Sequence, residues 1–465
     1  MKSNDKLQRF LARHPHDHTF FLRRPHWTRR RFFEVLGAGI TGSFLVSRAP
    51  AHVVETRANV RTINKARSVI FILLAGAPSH IDTFDFKETP DTPMDRLTPQ
   101  QINGLVWPTG LLPKLGESLA DLAIIRSMRA WALVHGLAQT WTQIGRNPAA
   151  ALGDIAPNIG SIVAIEKERE RKATDVFPSF LALNAGNAVG SGYLPATYAP
   201  LKVQPNAGGL RNTSNPDGQG RMDERIKLLE TLDAPLRNDT LYGNAGAEFD
   251  PFYKAALGLM YNSVVEQAFR YSAEDSQRYG GGTPNAFGNA CLIARQVLQA
   301  NAGTRFIQIN LGGWDHHADI YANNNLPRLS TILDEGVSAL LADLKKTGLL
   351  DETLVIMAGE FGRTVGRLSA QNGRDHYLQQ SCVFAGAGVR GGRAIGSTNE
   401  LGSASVEYGW VRERDIRTED IEATIYSALG INWTTVRYDD PFGRGFEYVP
   451  YSGADIYGPV HELWS

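Results

Sequence analysis

Histidine is scarce in this chain and is placed where chemistry could use it. Seven of its eleven histidines follow residue 51, and five of those seven fall in four short glycine-flanked segments. They are His80 in Ala75-Gly-Ala-Pro-Ser-His-Ile-Asp82, His135 in Val134-His-Gly136, His316 and His317 in Gly312-Gly-Trp-Asp-His-His317, and His376 in Gly373-Arg-Asp-His376. Three of the four also carry carboxylates. Imidazole nitrogen gathered with carboxylate oxygen at strand ends suggests a hydrolytic centre. Its donor set suits Zn²⁺, Mn²⁺ or Fe²⁺ better than Ca²⁺ or Mg²⁺.

Asp315, His317 and Asp319 alternate after an apolar run, so extended backbone would send all three to one side and His316 to the other. Glu360, in Gly359-Glu-Phe-Gly-Arg-Thr364, can ligate, and Arg363 can offer a forked grip on a tetrahedral anion. The plainer alternative is an Arg–Glu pair closing a turn. His376 is a further candidate ligand, with Asp375 orienting it or ligating beside it. After the first strand, Asp82 is the candidate ligand and His80 a lesser one, while Asp85 fits a loop carboxylate bonded to backbone amides. His135 could attack phosphorus, hydrogen-bond a substrate or ligate. Thr140 and Thr142, nearby, read as packing or surface hydroxyls.

The elements that must position these residues are legible as apolar runs. Ser68–Leu74, Leu122–Ile125, Phe180–Leu183, Arg305–Leu311, Thr353–Ala358 and Ser381–Ala385 have strand length, and continuous apolar runs mark strands buried on both faces. Leu329, Ile332, Leu333, Val337, Leu340, Leu341 and Leu344 give one helical face between two such strands, a parallel βαβ crossover. Ligands of such sheets bind beyond the carboxyl ends of the strands, where Gly312–His317 and Gly359–Arg363 fall. A helix is expected over Leu137–Ile144, and a last one over Thr418–Leu429 with Thr418 as cap and Gly430 as stop. Residues 222–300 read as mostly helical, interrupted near Tyr279–Pro284. Residues 186–223, rich in Gly, Asn and Pro, read as a long surface insertion lining the site or a partly mobile lid.

Composition bounds the rest. At 43% hydrophobic and 21% charged, the chain is expected to build a substantial core. Ten of its 48 Lys and Arg but only three of its 48 acids lie in residues 1–51, leaving 38 basic and 45 acidic residues beyond. No basic stripe interleaved with aromatics follows, so nucleic acid is not an expected partner. Thr28-Arg29-Arg30-Arg31-Phe32-Phe33, the apolar run Val35–Val46 and the small-x-small site Ala49-Pro50-Ala51 form the three regions of a twin-arginine export signal. The expected organisation is that signal over 1–51 and one α/β domain over 52–465. The twin-arginine machinery is then a partner and the destination periplasmic or secreted. No membrane span is expected in the mature chain. The only two cysteines, Cys291 and Cys382, fit buried apolar positions better than a disulfide.

Four stretches together, Ala75–Asp85, Trp314–His317, Gly359–Thr364 and Gly373–His376, resemble the secreted bacterial proteins grouped as DUF1501. Arg278-Tyr-Gly280 and Leu349–Val355 support the resemblance, which runs from about Ala66 to Leu463. That family resembles a branch of the alkaline phosphatase and sulfatase superfamily. The resemblance implies a mostly parallel central sheet flanked by helices on both faces, one or two divalent metals (Zn or Mn), and transfer of phosphoryl or sulfuryl groups. It implies Asp82, Asp315, His317 (or Asp319), Glu360 and His376 as metal ligands. Three departures stand out: Phe361 replaces a ligand histidine, His317 follows Asp315 at an unusually short spacing, and His135 occupies the place of a hydroxyl or thiol nucleophile. The expected reaction is metal-assisted hydrolysis of an anionic ester, small-molecule or glycan, with His135 at the reacting centre and Arg363 and Arg374 stabilising charge. A catalytically silent relative binding an anionic glycan or a protein partner is the alternative, and a closed structural metal site a third.

Overall fold

The computed structural model describes residues 54–238, 254–281 and 286–465. The expected export arm, residues 1–51, lies outside the described residues.

The apolar runs become one eight-stranded sheet. Its strands are β1 (Ser68–Leu73), β2 (Leu122–Arg129), β3 (Phe180–Leu183), β4 (Leu201–Val203), β5 (Phe306–Asn310), β6 (Thr353–Ala358), β7 (Gln379–Ala385) and β8 (Arg393–Ile395). The order across the sheet is β8-β2-β7-β6-β1-β5-β3-β4. Every neighbouring pair is parallel except the two made by β7, which is antiparallel to both β2 and β6. The sheet is therefore mixed and mostly parallel.

Alternation along each strand splits the core in two. Ile70, Ile72, Ile307, Ile309, Val355 and Met357 face one layer. Val69, Phe71, Leu73, Phe306, Leu354 and Ile356 face the other. Strands buried on both sides need no polar face, which is why they read as unbroken apolar runs. Helices α3 (Ala286–Ala300) and α4 (Leu326–Lys346) cover the first face, and α2 (Ile159–Glu166) and α5 (Thr418–Ala428) the second. Each Ile or Leu so enclosed contributes roughly 1.5–3 kcal/mol. Cys291 and Cys382 are buried and free, one in each layer, as expected. No helix among the described residues is long and apolar enough to cross a membrane.

One detail of the last helix differs from expectation. Thr418 is the first residue of α5 rather than its cap; Arg417 holds that position, and its N–H donates to Asp420 at 2.8 Å. Gly430 does follow the helix with φ +75°. Residues 186–223 are described in part by their ties to the sheet. They supply edge strand β4, and their first part is tied inward, where Asn310 Nδ2 donates to Asn187 Oδ1 at 2.7 Å and Val189 N to Gln143 Oε1 at 3.0 Å.

Candidate metal centre

Because β1, β2, β5 and β6 run the same way, the segments after them meet at one edge of the sheet. β2 leads into α1 (His135–Ile144), whose first residue is His135. β5 leads to Asp315 and His317, β6 to Glu360 and Arg363, and His376 stands just before the antiparallel β7. Two glycines permit the close approach. Gly76 lies at φ +102°, and a Cβ there would sit 2.7 Å from the Trp314 nitrogen; at Gly373 it would sit 2.0 Å from the His317 carbonyl.

His135, Asp315, His317 and His376 each offer one ligand atom, all within 4.8 Å of one another. From Asp315 Oδ1 the distances are 3.1 Å to His135 Nε2, 2.9 Å to His317 Nε2 and 3.5 Å to His376 Nε2. His317 Nε2 and His376 Nε2 lie 3.1 Å apart. A tetrahedral ion with bonds of roughly 2.0–2.1 Å spaces its ligand atoms by about 3.3 Å. Four of the six separations straddle that value, and all six lie within 4.8 Å.

The opposite ring nitrogens decide the tautomers. His135 Nδ1 meets Glu360 Oε1 at 2.7 Å, His317 Nδ1 meets Asp375 Oδ1 at 2.6 Å, and His376 Nδ1 meets the Leu133 carbonyl at 2.7 Å. Ionised carboxylates and carbonyls only accept, so each Nδ1 donates and, in the neutral ring, each Nε2 presents a lone pair inward. Three lone pairs and a carboxylate oxygen aimed at one point repel one another unless a cation or proton lies between them. The donor set therefore fits a divalent metal with its orienting partners already in place.

The electrostatics are those of a cluster that draws in positive charge, a proton where no cation is held. The hydrogen bond to Glu360 outweighs burial and holds His135 above the ordinary imidazole value. Burial pushes the Asp315 carboxyl up, but Arg363 and then His135 outweigh it and hold it at about 2. His316 is not among the four, and burial lowers it to about 4. The side chains of Asp315 and His317 are 42% and 40% exposed, so the centre opens to solvent, unlike a closed structural site.

Not every expected residue joins. Asp82 lies outside the cluster: its oxygens accept from Arg374 Nε and the Tyr321 hydroxyl, each at 2.7 Å, in a fully buried pair. Glu360 is not among the four either, and its Oε1 is occupied by His135 Nδ1, Gln139 Nε2 and Gly76 N. Asp319 takes a left-handed conformation (φ +43°) and bonds Asn372, which breaks the expected alternation. His80 meets the Gly402 carbonyl, and Asp85 pairs with Lys87 and Arg126 rather than with backbone amides.

Arg363 and Arg374 are not open anion clamps. Arg363 spends its guanidinium on the carbonyls of Gly76, Ala77 and Arg374 and on Asp315, 2.6 Å away. Arg374 spends its own on Asp82, Thr364, Gly366 and Tyr321. Both are buried because they pin the loops that deliver ligands. Thr140 and Thr142 hydroxyls bond back to carbonyls four residues earlier, as packing hydroxyls do. Phe361 packs against the His135 and His376 rings, with centroids 4.8 and 4.6 Å away, as an apolar wall of the centre. A cleft of about 650 Å³ lined by Arg61, Trp433, His461 and Trp464 contains none of these residues.

A model of the DUF1501 family, described as proteins of unknown function, matches residues 66–456. The chain belongs to the DUF1501 family. No curated protein matches it significantly. Similar solved structures include the PsFucS1 sulfatase from Pseudoalteromonas sp., at 12% identity over 79% of this chain and 68% of that one, TM-score 0.35. The alkaline phosphatase of the Antarctic bacterium TAB5 is 15% identical over 78% of this chain and 98% of that one, TM-score 0.37. Ps i-CgsB in complex with k-i-k-neocarrahexaose is 12% identical over 85% and 78%, TM-score 0.38. Likenesses this distant carry nothing about chemistry, so function in this DUF1501 member must be argued from its own residues.

Proposed function

We propose that this DUF1501 protein is a metal-dependent hydrolase of anionic esters, phosphate or sulfate, built on a single centre of His135, Asp315, His317 and His376. The observation that carries the reading is the convergence of three oriented Nε2 atoms on Asp315 Oδ1 at 2.9–3.5 Å, open to solvent. Zn²⁺ or Mn²⁺ held there would supply polarisation of an ester oxygen and activation of water near neutral pH. The chain's own residues do the rest. Glu360, Asp375 and the Leu133 carbonyl keep the three rings aimed inward, and Arg363 holds Asp315 in its ionised form. Phe361 keeps water from one side of the His135 and His376 rings. Water is the attacking group in this reading, because His135 Nε2 is turned to the cluster and the Thr140 and Thr142 hydroxyls are bonded within α1.

The test is turnover of aryl phosphates, phosphodiesters and aryl sulfates by protein loaded with zinc or manganese. Metal-dependent turnover, lost in His376→Ala, supports the proposal; a metal content below about a tenth of an equivalent after loading sinks it. A silent binding relative is the second reading, favoured by the internal engagement of Arg363 and Arg374. Tight binding of an anionic ester without turnover would select it. Export by the twin-arginine route belongs to the same proposal, supported by Arg29-Arg30-Arg31 ahead of the apolar run. Replacing all three arginines with lysine should leave the protein in the cytoplasm, and unchanged fractionation would refute that route.

A further inference from the structure

Helix α1 presents two polar side chains to the centre, not one. Gln139 follows His135 by four residues, so both leave the same face of the helix. Gln139 Nε2 donates to Glu360 Oε1 at 2.9 Å, the oxygen that also accepts from His135 Nδ1 at 2.7 Å and from Gly76 N at 2.9 Å. The Glu360 side chain is fully buried, and its Oε2 has no hydrogen-bond partner. Three donors converge on that one oxygen, two from helix α1 and one from the loop after β1, and together they fix the orientation of the carboxylate.

We infer that Gln139 and Glu360 are a positioning pair that sets the tautomer and direction of His135, and through them the metal affinity of the centre. The inference rests on the metal reading proposed above, and it gives Glu360 a different role from the ligand that family resemblance implies. Charge complementarity explains the residue types. Glu360 accepts only, so it selects the Nδ1–H form of His135 and leaves Nε2 as the lone pair aimed at Asp315. Gln139 can approach the same oxygen because its amide nitrogen donates and carries no charge. A carboxylate in its place would meet Glu360 as a like charge in a buried setting, and a shorter side chain would leave Glu360 one donor fewer.

The experiment measures zinc affinity of the folded, full mature chain by competition with a chromophoric chelator, for wild type, Gln139→Ala, Gln139→Glu and Glu360→Gln. Thermal unfolding of each variant is measured alongside, and the nitrogen-15 histidine spectrum of the metal-free protein reports the His135 tautomer. Partners of ligand histidines are typically worth 10–100-fold in metal affinity. Gln139→Ala and Glu360→Gln should each weaken zinc binding by about tenfold or more, with Gln139→Glu weaker than Gln139→Ala. His135 should be Nδ1-protonated in wild type and a mixture of tautomers in Glu360→Gln. A purely structural role would lower the unfolding temperature while leaving both affinity and tautomer as in wild type, and that result overturns the inference. Wild type that takes up no zinc would instead overturn the metal reading, and this inference with it.

Discussion

Asp82 distinguishes the family-based expectation from the geometry most sharply. As a ligand, its loss would empty the centre; as the structure places it, its loss should cost stability first. The Asp82 and Arg374 side chains are both 0% exposed and meet at 2.7 Å, and Tyr321 donates to the other oxygen of Asp82. Burial alone would lower the Arg374 pKa, but Asp82 and Tyr321 outweigh it and raise it, so the guanidinium stays charged. Asp82→Asn removes the counter-charge and strands that cation inside the protein. Breaking a buried pair from one side costs roughly 3–5 kcal/mol. Urea unfolding of the metal-free protein should therefore show a loss of that size, while the variant still takes up one equivalent of zinc when metal is in excess. Asp82→Asn combined with Arg374→Met should recover part of the loss, because no unpaired charge remains. A variant within about 1 kcal/mol of wild type that no longer takes up metal would refute the assignment of Asp82 to Arg374.

Two further perturbations follow from buried positions. Burial raises the Glu422 carboxyl to about 8, and its Oε2 has no partner. A folded-state value above the ordinary 4.5 means that the folded chain binds the extra proton, so stability falls as pH rises from 4.5 towards 8. At about 1.4 kcal/mol per pH unit the upper bound is about 5 kcal/mol, and Glu422→Gln should flatten the decline in unfolding free energy between pH 5 and 8, which a slope like that of wild type would contradict. Gly76→Ala places a Cβ 2.7 Å from the Trp314 nitrogen at φ +102°, so it should destabilise by about 1–3 kcal/mol and weaken metal binding by displacing Asp315; unchanged denaturation midpoint and affinity would contradict this.

Much of the fold was legible because burial on two faces leaves a plain mark. Phe180–Leu183 and Thr353–Ala358 coincide with their apolar runs, and α4 follows the Leu329–Leu344 face. The edge strands Leu201–Val203 and Arg393–Ile395 escaped notice, being three residues long and only partly buried. At the centre, all four clustered residues come from the histidine-bearing segments, and Asp315, His317 and His376 are among the ligands that the family resemblance implies. His135 was open among three roles, since only its ring orientation separates ligand from nucleophile. Arg363, Arg374 and Asp82 are engaged with loop carbonyls and with buried partners, and a residue that holds a ligand loop looks like one that ligates in one dimension. Gln139 went unread, although its four-residue spacing from His135 on a helix was a usable signal.

Three histidines and one aspartate at the carboxyl edge of the sheet are proposed to hold one cation. Anomalous diffraction at the zinc edge from zinc-loaded crystals tests it directly. A single peak is expected about 2.0–2.2 Å from the Nε2 atoms of His135, His317 and His376 and from a carboxylate oxygen of Asp315. A peak bound instead by Asp82 and Glu360, or no peak at full loading, would contradict it.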